Sequence, residues 1–215
     1  GSVGGAEGAT ATDVIGLIDA AQLASGNYFS CARHAPGTIS CWGSNGNGRL
    51  GTGTGLDSAV PADVPGINDA VDLGAGTLHA CVVHATGAVS CWGANGNGGL
   101  GDGTTTQRNT PVGVLNLADA TQVAGGLTHT CARRATGGIS CWGSNVYGEL
   151  GDGTNTQSTT PVDVPGINDA IDVRASLNGG GGDFTCALHA GGTVSCWGYG
   201  AFGQLGNGAN GNSAT

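Results

Sequence analysis

Cys131 to Gly151 reads CARRATGGISCWGSNVYGELG, and the same sentence recurs three more times along the chain. Cys31 to Gly51 reads CARHAPGTISCWGSNGNGRLG, Cys81 to Gly101 reads CVVHATGAVSCWGANGNGGLG, and Cys186 to Gly206 reads CALHAGGTVSCWGYGAFGQLG. The leading cysteines at 31, 81, 131 and 186 are therefore 50, 50 and 55 residues apart. Self-similarity at a fixed period of this size marks a repeat architecture. Extending the register backwards to Gly1, Gly51, Gly101 and Gly151 divides the chain into repeats 1-50, 51-100, 101-150 and 151-205, with 206-215 opening a fifth. The segment DVPGINDA, shared by Asp63–Ala70 and Asp163–Ala170, falls in the same register. The last residue, Thr215, stands where the siblings continue into Pro61, Pro111 and Pro161, so the chain reads as a cut through a longer array.

The pairs Cys31/Cys41, Cys81/Cys91, Cys131/Cys141 and Cys186/Cys196 each enclose nine residues. Zinc knuckles bring two cysteines together across two to four residues, so this spacing does not suit one. It suits a hairpin. With Thr86 at the centre, Cys81 faces Cys91, His84 faces Ala88, and Ala85-Thr86-Gly87 is a three-residue loop whose glycine takes positive φ. Gly37, Gly137 and Gly192 fill the same slot. Cysteines opposed in a non-hydrogen-bonded pair are close enough for a disulfide, the reading adopted over free buried thiols and over metal ligation. Four bridges imply an oxidising compartment, extracellular, cell-surface or periplasmic.

Between clusters of Gly, Asn and Pro, each repeat carries short runs rich in Val, Ile, Thr and Ser. In the second copy these are Ala62–Val64 (equivalent to Val112–Leu115), Ala70–Leu73, Thr77–Val83 and Ala88–Trp92. The nearest thing to a helix, Asp13–Ala24, has equivalents interrupted by Pro65-Gly66 and Pro165-Gly166, which argues against one. About four short strands in about 50 residues is the size of a propeller blade. The fold expected is all-β, with four β-propeller-type blades forming an open segment of a larger propeller or assembling into a ring or repeat filament.

Gly occupies 45 of the 215 positions without a G-x-y period, which excludes collagen. Six basic residues, all Arg, against fifteen acids leave a formal net charge of −9, unsuited to nucleic acid or anionic membranes. No apolar run is long enough to span a membrane, so membrane insertion is not expected.

The pattern G-x-x-H-x-C followed by C-W-G-x-N-x-x-G-x-L-G-x-G, fullest at Gly125–Gly153, resembles the repeat of the regulator of chromosome condensation family. The resemblance covers essentially the whole chain and recurs in register. It implies seven-bladed propellers, of which four repeats make a little over half a turn. The paired cysteines are similar to those of the exported bacterial branch rather than the nuclear one. His79 and His129 match the family's G-x-x-H position, which implies a structural hydrogen bond, and Phe29 and Phe184 replace them in the other copies.

Candidate site residues follow from the repeat. Trp42, Trp92, Trp142 and Trp197 are expected to pack between neighbouring blades. His34, His84 and His189 share a position held by Arg134 in the third copy, which disfavours a ring of metal ligands. Asp102-Gly-Thr and Asp152-Gly-Thr resemble fragments of calcium loops without the alternating carboxylates of an oxygen cage. Tyr147 and Phe202 replace Asn47 and Asn97 in the N-x-x-G-x-L-G loop, and Tyr199 lies close by. With Arg49 and Glu149 they form the candidate binding face. No phosphate loop, H-E-x-x-H or G-x-S-x-G motif is present, and no cofactor, metal or catalytic residue is expected.

The function expected is a non-catalytic, secreted or cell-surface structural and protein-binding module for adhesion, display or assembly, with another protein or further copies of itself as partner. The resemblance implies an alternative, a secreted propeller that binds or inhibits a partner enzyme through loops on one face. It ranks a guanine-nucleotide exchange regulator lower, because the only insertion, around Asn178–Asp183, is about five residues long. Mass mapping of a non-reduced digest is expected to find the bridges 31–41, 81–91, 131–141 and 186–196. Bridges running between repeats would reject the hairpin register.

Overall fold

The computed structural model describes residues 11–177 and 182–215, and within them the chain forms fifteen β-strands and no helix. The first sheet comprises β1 (Ala20–Ser25), β2 (Phe29–His34), β3 (Ile39–Gly43) and β4 (Ser58–Asp63). The second repeats it as β5 (Ala70–Ala75), β6 (His79–His84), β7 (Val89–Gly93) and β8 (Arg108–Gly113). The third is β9 (Ala120–Gly125), β10 (His129–Arg134), β11 (Ile139–Gly143) and β12 (Ser158–Asp163). The fourth has β13 (Ala170–Ala175), β14 (Phe184–His189) and β15 (Val194–Gly198), with a single bridge from Gly198 to Ser213 where a fourth strand begins. All pairings are antiparallel and sequential, and the sheets follow one another as an open arc of propeller blades, with the inner strands β1, β5, β9 and β13 in succession.

The hairpin register is Cys31↔Cys41, Cys81↔Cys91, Cys131↔Cys141 and Cys186↔Cys196, and all four pairs are bonded. The turn at Gly87 closes through the Gly87 amide to the His84 carbonyl at 2.8 Å, and a φ of 84° explains glycine there. Strand boundaries shift from expectation by one to four residues, and two of the shifts have a plain physical reason. The run expected from Thr77 begins at His79, because Gly76–Leu78 turns the chain between β5 and β6. The outer strands start earlier than expected and run through Pro61, Pro111 and Pro161. An edge strand with a register shift tolerates a residue that cannot donate, and each of these strands has that shift. The outer strand of each blade therefore lies in residues after the glycine that opens the next sequence repeat.

The cores lie between blades rather than within them. Cys31, Ile39, Cys41 and Leu50 of the first blade cluster with Leu73, Val82 and Trp92 of the second. Cys81, Val89, Cys91 and Leu100 cluster in the same way with Val123, Ala132 and Trp142, and Cys131, Ile139, Cys141 and Leu150 with Val173, Ala187 and Trp197. Each indole N–H donates to a backbone carbonyl of the preceding blade: Trp92 to Arg49 at 3.0 Å, Trp142 to Gly99 at 2.9 Å, Trp197 to Glu149 at 2.8 Å. The ring lies so close to Gly51, Gly101 or Gly151 that a Cβ there would come within 2.8 Å of it. A side chain is excluded by space as well as by φ.

Among the described residues no blade precedes that of Trp42, which is only half-buried, whereas Trp92, Trp142 and Trp197 are at most 1% exposed. Truncation should separate them. Trp92→Ala or Trp142→Ala is expected to cost about 3–5 kcal/mol in urea unfolding, and Trp42→Ala about 1 kcal/mol. Equal losses at the three positions would contradict inter-blade cores.

Candidate functional site

The loops that follow the third strand of each blade lie on the same face of the arc, because the blades repeat one strand order. Asn45, Asn95 and Asn145, all buried, hold them in shape. Asn95 Nδ2 donates to the carbonyls of Thr104 and Thr106, each at 3.1 Å, while its Oδ1 accepts the Leu100 amide at 3.0 Å. Asn45 and Asn145 make the same bonds. These asparagines, the N of the N-x-x-G-x-L-G loop in three copies, are structural residues, a role that their recurrence at one register position signals.

On this scaffold the third and fourth loops bring together Tyr147, Tyr199 and Phe202. The rings of Tyr147 and Tyr199 meet edge-on with centroids 4.9 Å apart, and Tyr199 and Phe202 do so at 6.0 Å. Phe202 is 84% exposed, and Val146, which precedes Tyr147 in the chain, is also exposed. Tyr199 leans over Gly182, where any side chain would collide with its ring. The rest of the insertion expected around Asn178–Asp183 lies outside the described residues, apart from Gly182 and Asp183.

Arg49 and Glu149 do not join this face, a correction to the expected cluster. Both are buried. Arg49 Nη1 donates to the Asn27 carbonyl at 2.9 Å and Nη2 to Asn47 Oδ1 at 2.8 Å. Glu149 Oε2 accepts the Tyr147 amide at 2.7 Å. Their charged ends are spent on backbone and side-chain groups of the loops, an interior role that a charged side chain in a loop motif does not advertise.

The shared histidines form clamps. Nδ1 of His34, His84 and His189 lies 2.5–2.6 Å from Asp19, Asp69 and Asp169, and Nε2 lies 2.9 Å from the hydroxyls of Ser40, Ser90 and Ser195. Each clamp ties the connector before the inner strand to the second and third strands. In the first copy the Ser40 hydroxyl donates onward to Asp63 at 3.1 Å. Arg134 builds the equivalent bridge from Asp119 to Asp163, so the position calls for a forked hydrogen-bonding group rather than for an imidazole in particular.

The Asp102 loop is likewise satisfied from within. Oδ1 accepts from Thr104 and Asn95, and Oδ2 takes a paired bond from Arg108 at 2.9 and 2.7 Å. Burial alone would raise this carboxyl, but the bonds from Thr104 and Arg108 hold it below its ordinary value. Among the described residues no three acidic, His or Cys side chains cluster as a metal site. No helix there is long and apolar enough to cross a membrane.

A family model described as "Regulator of chromosome condensation (RCC1) repeat" matches residues 36–83, 86–133 and 136–188, and a second model of the same description matches 20–49 and 120–149. The chain belongs to the RCC1 repeat family. No curated protein matches it by sequence. Among solved structures, human WBSCR16 superposes with a TM-score of 0.80 at 22% identity, over 91% of this chain and 51% of that one. Prp20p of Saccharomyces cerevisiae, studied for its binding to Gsp1p and histones, gives 0.78 at 17% identity, over 94% and 51%. Yeast RCC1 (Prp20) bound to Kap60 gives 0.75 at 17% identity, over 90% and 47%. These likenesses establish the propeller fold, and this chain spans about half the length of each.

Within the RCC1 repeats, His79 Nε2 meets Thr130 Oγ1 of the next blade at 2.8 Å, and His129 meets Thr185 at 2.8 Å. In the first blade Phe29 takes that place and packs with Ala80, an apolar version of the same contact. Complete burial, and then the nearby His129, lower the His79 value to about 4, against the opposite pull of Asp183. Above the unfolded value, near 6.5, His79 is neutral in both states and its contribution to stability is complete. Between 6.5 and about 4 only the unfolded chain takes up the proton, so stability is lost as pH falls through that window. The double variant His79→Phe/Thr130→Ala reproduces the Phe29–Ala80 pair. It is expected to reduce the pH slope of unfolding free energy by up to about 1.4 kcal/mol per pH unit there. An unchanged slope in urea titrations would show that His79 is not kept neutral.

Proposed function

We propose that this chain is a non-catalytic, extracellular or cell-surface module that binds protein through the loop end of its blades. Its role is adhesion, display or assembly, the last including association with further copies of itself. The observation that carries this reading is the Tyr147–Tyr199–Phe202 cluster. Three aromatic rings share a surface at the end of a scaffold whose other polar loop groups bond to one another. Rigid aromatic anchors of this kind dominate protein interfaces. Four disulfides fit an oxidising compartment, and a net charge of −9 disfavours nucleic acid as the partner. Yeast RCC1 (Prp20) is bound to Kap60 in one structure, and the other was studied with its binding to Gsp1p and histones, which supports a protein ligand without naming one here.

Photo-crosslinking from position 202, in the culture supernatant and surface fraction of the producing cell, tests the reading. A discrete protein adduct is expected, and it should fall by at least about tenfold when Tyr147 and Tyr199 are both changed to Ser in a chain with unaltered circular dichroism. An adduct that ignores those changes, or no adduct from any fraction, would remove the loop face as the binding site.

A further inference from the structure

We infer that the loop of the second blade holds a binding subsite for the planar side-chain oxygen of a glutamine or glutamate on a partner protein. This deepens the reading above, on which it rests for the kind of partner, by naming the chemistry that one part of the loop end takes. The subsite is defined by a side chain that the second repeat omits and its siblings keep.

The variable residue of G-x-L-G is Arg49, Gly99, Glu149 and Gln204 in the four copies, so the second alone has no side chain there. The others use theirs to fasten the loop. Arg49 donates to the Asn27 carbonyl and to Asn47, Glu149 Oε2 accepts the Tyr147 amide at 2.7 Å, and Gln204 Oε1 accepts the Phe202 amide at 2.9 Å. Asn97 stands where Tyr147 and Phe202 stand, and among the described residues its amide finds no acceptor. Backbone conformation does not call for glycine at 99, since its φ, unlike that of Gly98 at 75°, lies outside the left-handed region.

Where the side chain is missing, a cavity of about 270 Å³ opens. Leu78 and Ala94 of the second blade, Leu127 of the third and Asn47 of the first line it together with Gly99 and Asn97. It lies over the second blade, which has a neighbour on each side. The loop is already held before anything binds. Asn95 bonds the Thr104 carbonyl and the Leu100 amide, and the Gly99 carbonyl accepts the Trp142 indole at 2.9 Å and the Thr130 hydroxyl at 2.8 Å. A donor presented on a fixed backbone spares a ligand the cost of ordering it.

A glutamine side chain supplies what the cavity lacks. Its methylenes meet the leucines, and its oxygen takes the Asn97 amide as Glu149 and Gln204 take theirs. Glutamate offers the same oxygen with a charge. The one ionisable group in the lining, His79, is neutral at ordinary pH because burial lowers its value to about 4. A carboxylate would enter without a counter-charge, so the carboxamide is the better fit.

Amide NMR of the 215-residue chain tests this with three probes, the N-acetyl methylamides of glutamine, glutamate and norleucine. Glutamine is expected to shift the Asn97 amide saturably, glutamate to do so more weakly, and norleucine, of matched length without the oxygen, not at all. Binding of either acceptor supports the subsite, and the tighter one names its source. Gly99→Gln places the chain's own carboxamide in the cavity. It should slow hydrogen exchange at the Asn97 amide by about five- to tenfold, the worth of one hydrogen bond, and cancel the probe's effect. A Cβ at 99 would lie 3.0 Å from the Thr128 carbonyl, so Gly99→Ala is the control for crowding and should leave probe binding in place. If both variants disturb the fold, the wild-type titration decides alone. Failure of both acceptor probes to shift Asn97, an equal response to norleucine, or a probe that binds a folded Gly99→Gln chain as it binds the wild type would overturn the subsite. Tyr147→Ser/Tyr199→Ser should leave the titration unchanged, so this subsite and the aromatic face fail separately.

Discussion

Each blade depends on its successor. The hairpin of a blade supplies two cysteines, a branched aliphatic residue and a leucine, but the indole and the inner-strand side chain that enclose them come from the next blade along. Burial of a tryptophan side chain is the largest single apolar contribution available to a chain with 5% aromatic residues. It is available only across a blade boundary. Four blades therefore enclose three cores, and the fold is a one-dimensional stack whose stability rests on neighbour contacts as much as on any blade by itself.

That dependence explains the high glycine content. For the indole to reach the preceding blade, the backbone at Gly51, Gly101 and Gly151 must pass directly beneath the ring. The loops that bring the backbone there are then held by asparagine side chains and carboxylates rather than by apolar packing. The disulfide fastens the hairpin from which the tryptophan projects, and the Asp–His–Ser clamp fastens the same hairpin to its connector. Covalent and polar staples thus do locally what a larger apolar interior would do in a chain richer in leucine and phenylalanine.

The hairpins, the disulfide register, the strand count and the family were legible because each rests on local spacing copied four times. The C-x9-C unit with its glycine defines a turn, and a turn defines a register. What stayed hidden was relational. Nothing in CWG says that the indole serves the blade before its own, and nothing in RLG or ELG says that Arg49 and Glu149 turn inward. Those orientations are set by carbonyls and amides that come near only after the loop has closed. The early start of the outer strands was hidden for a related reason. The expected strand begins only after Pro61, while the structure carries the edge strand through that proline, which has no amide to donate.

The same reasoning says where variation is free. A residue on a blade side must suit both neighbours, and a residue in the hairpin must suit the disulfide and the clamp. The middle of the N-x-x-G-x-L-G loop answers to neither, since Asn45, Asn95 and Asn145 hold the loop from its first residue and the leucine anchors its end. At that position Asn47 and Asn97 give way to Tyr147 and Phe202, and Gly182, near the end of the one insertion in the sequence, lies against the Tyr199 ring. These aromatic departures from the repeat thus share one patch of the third and fourth blades, away from the positions that the disulfide, the clamp and the inter-blade core constrain.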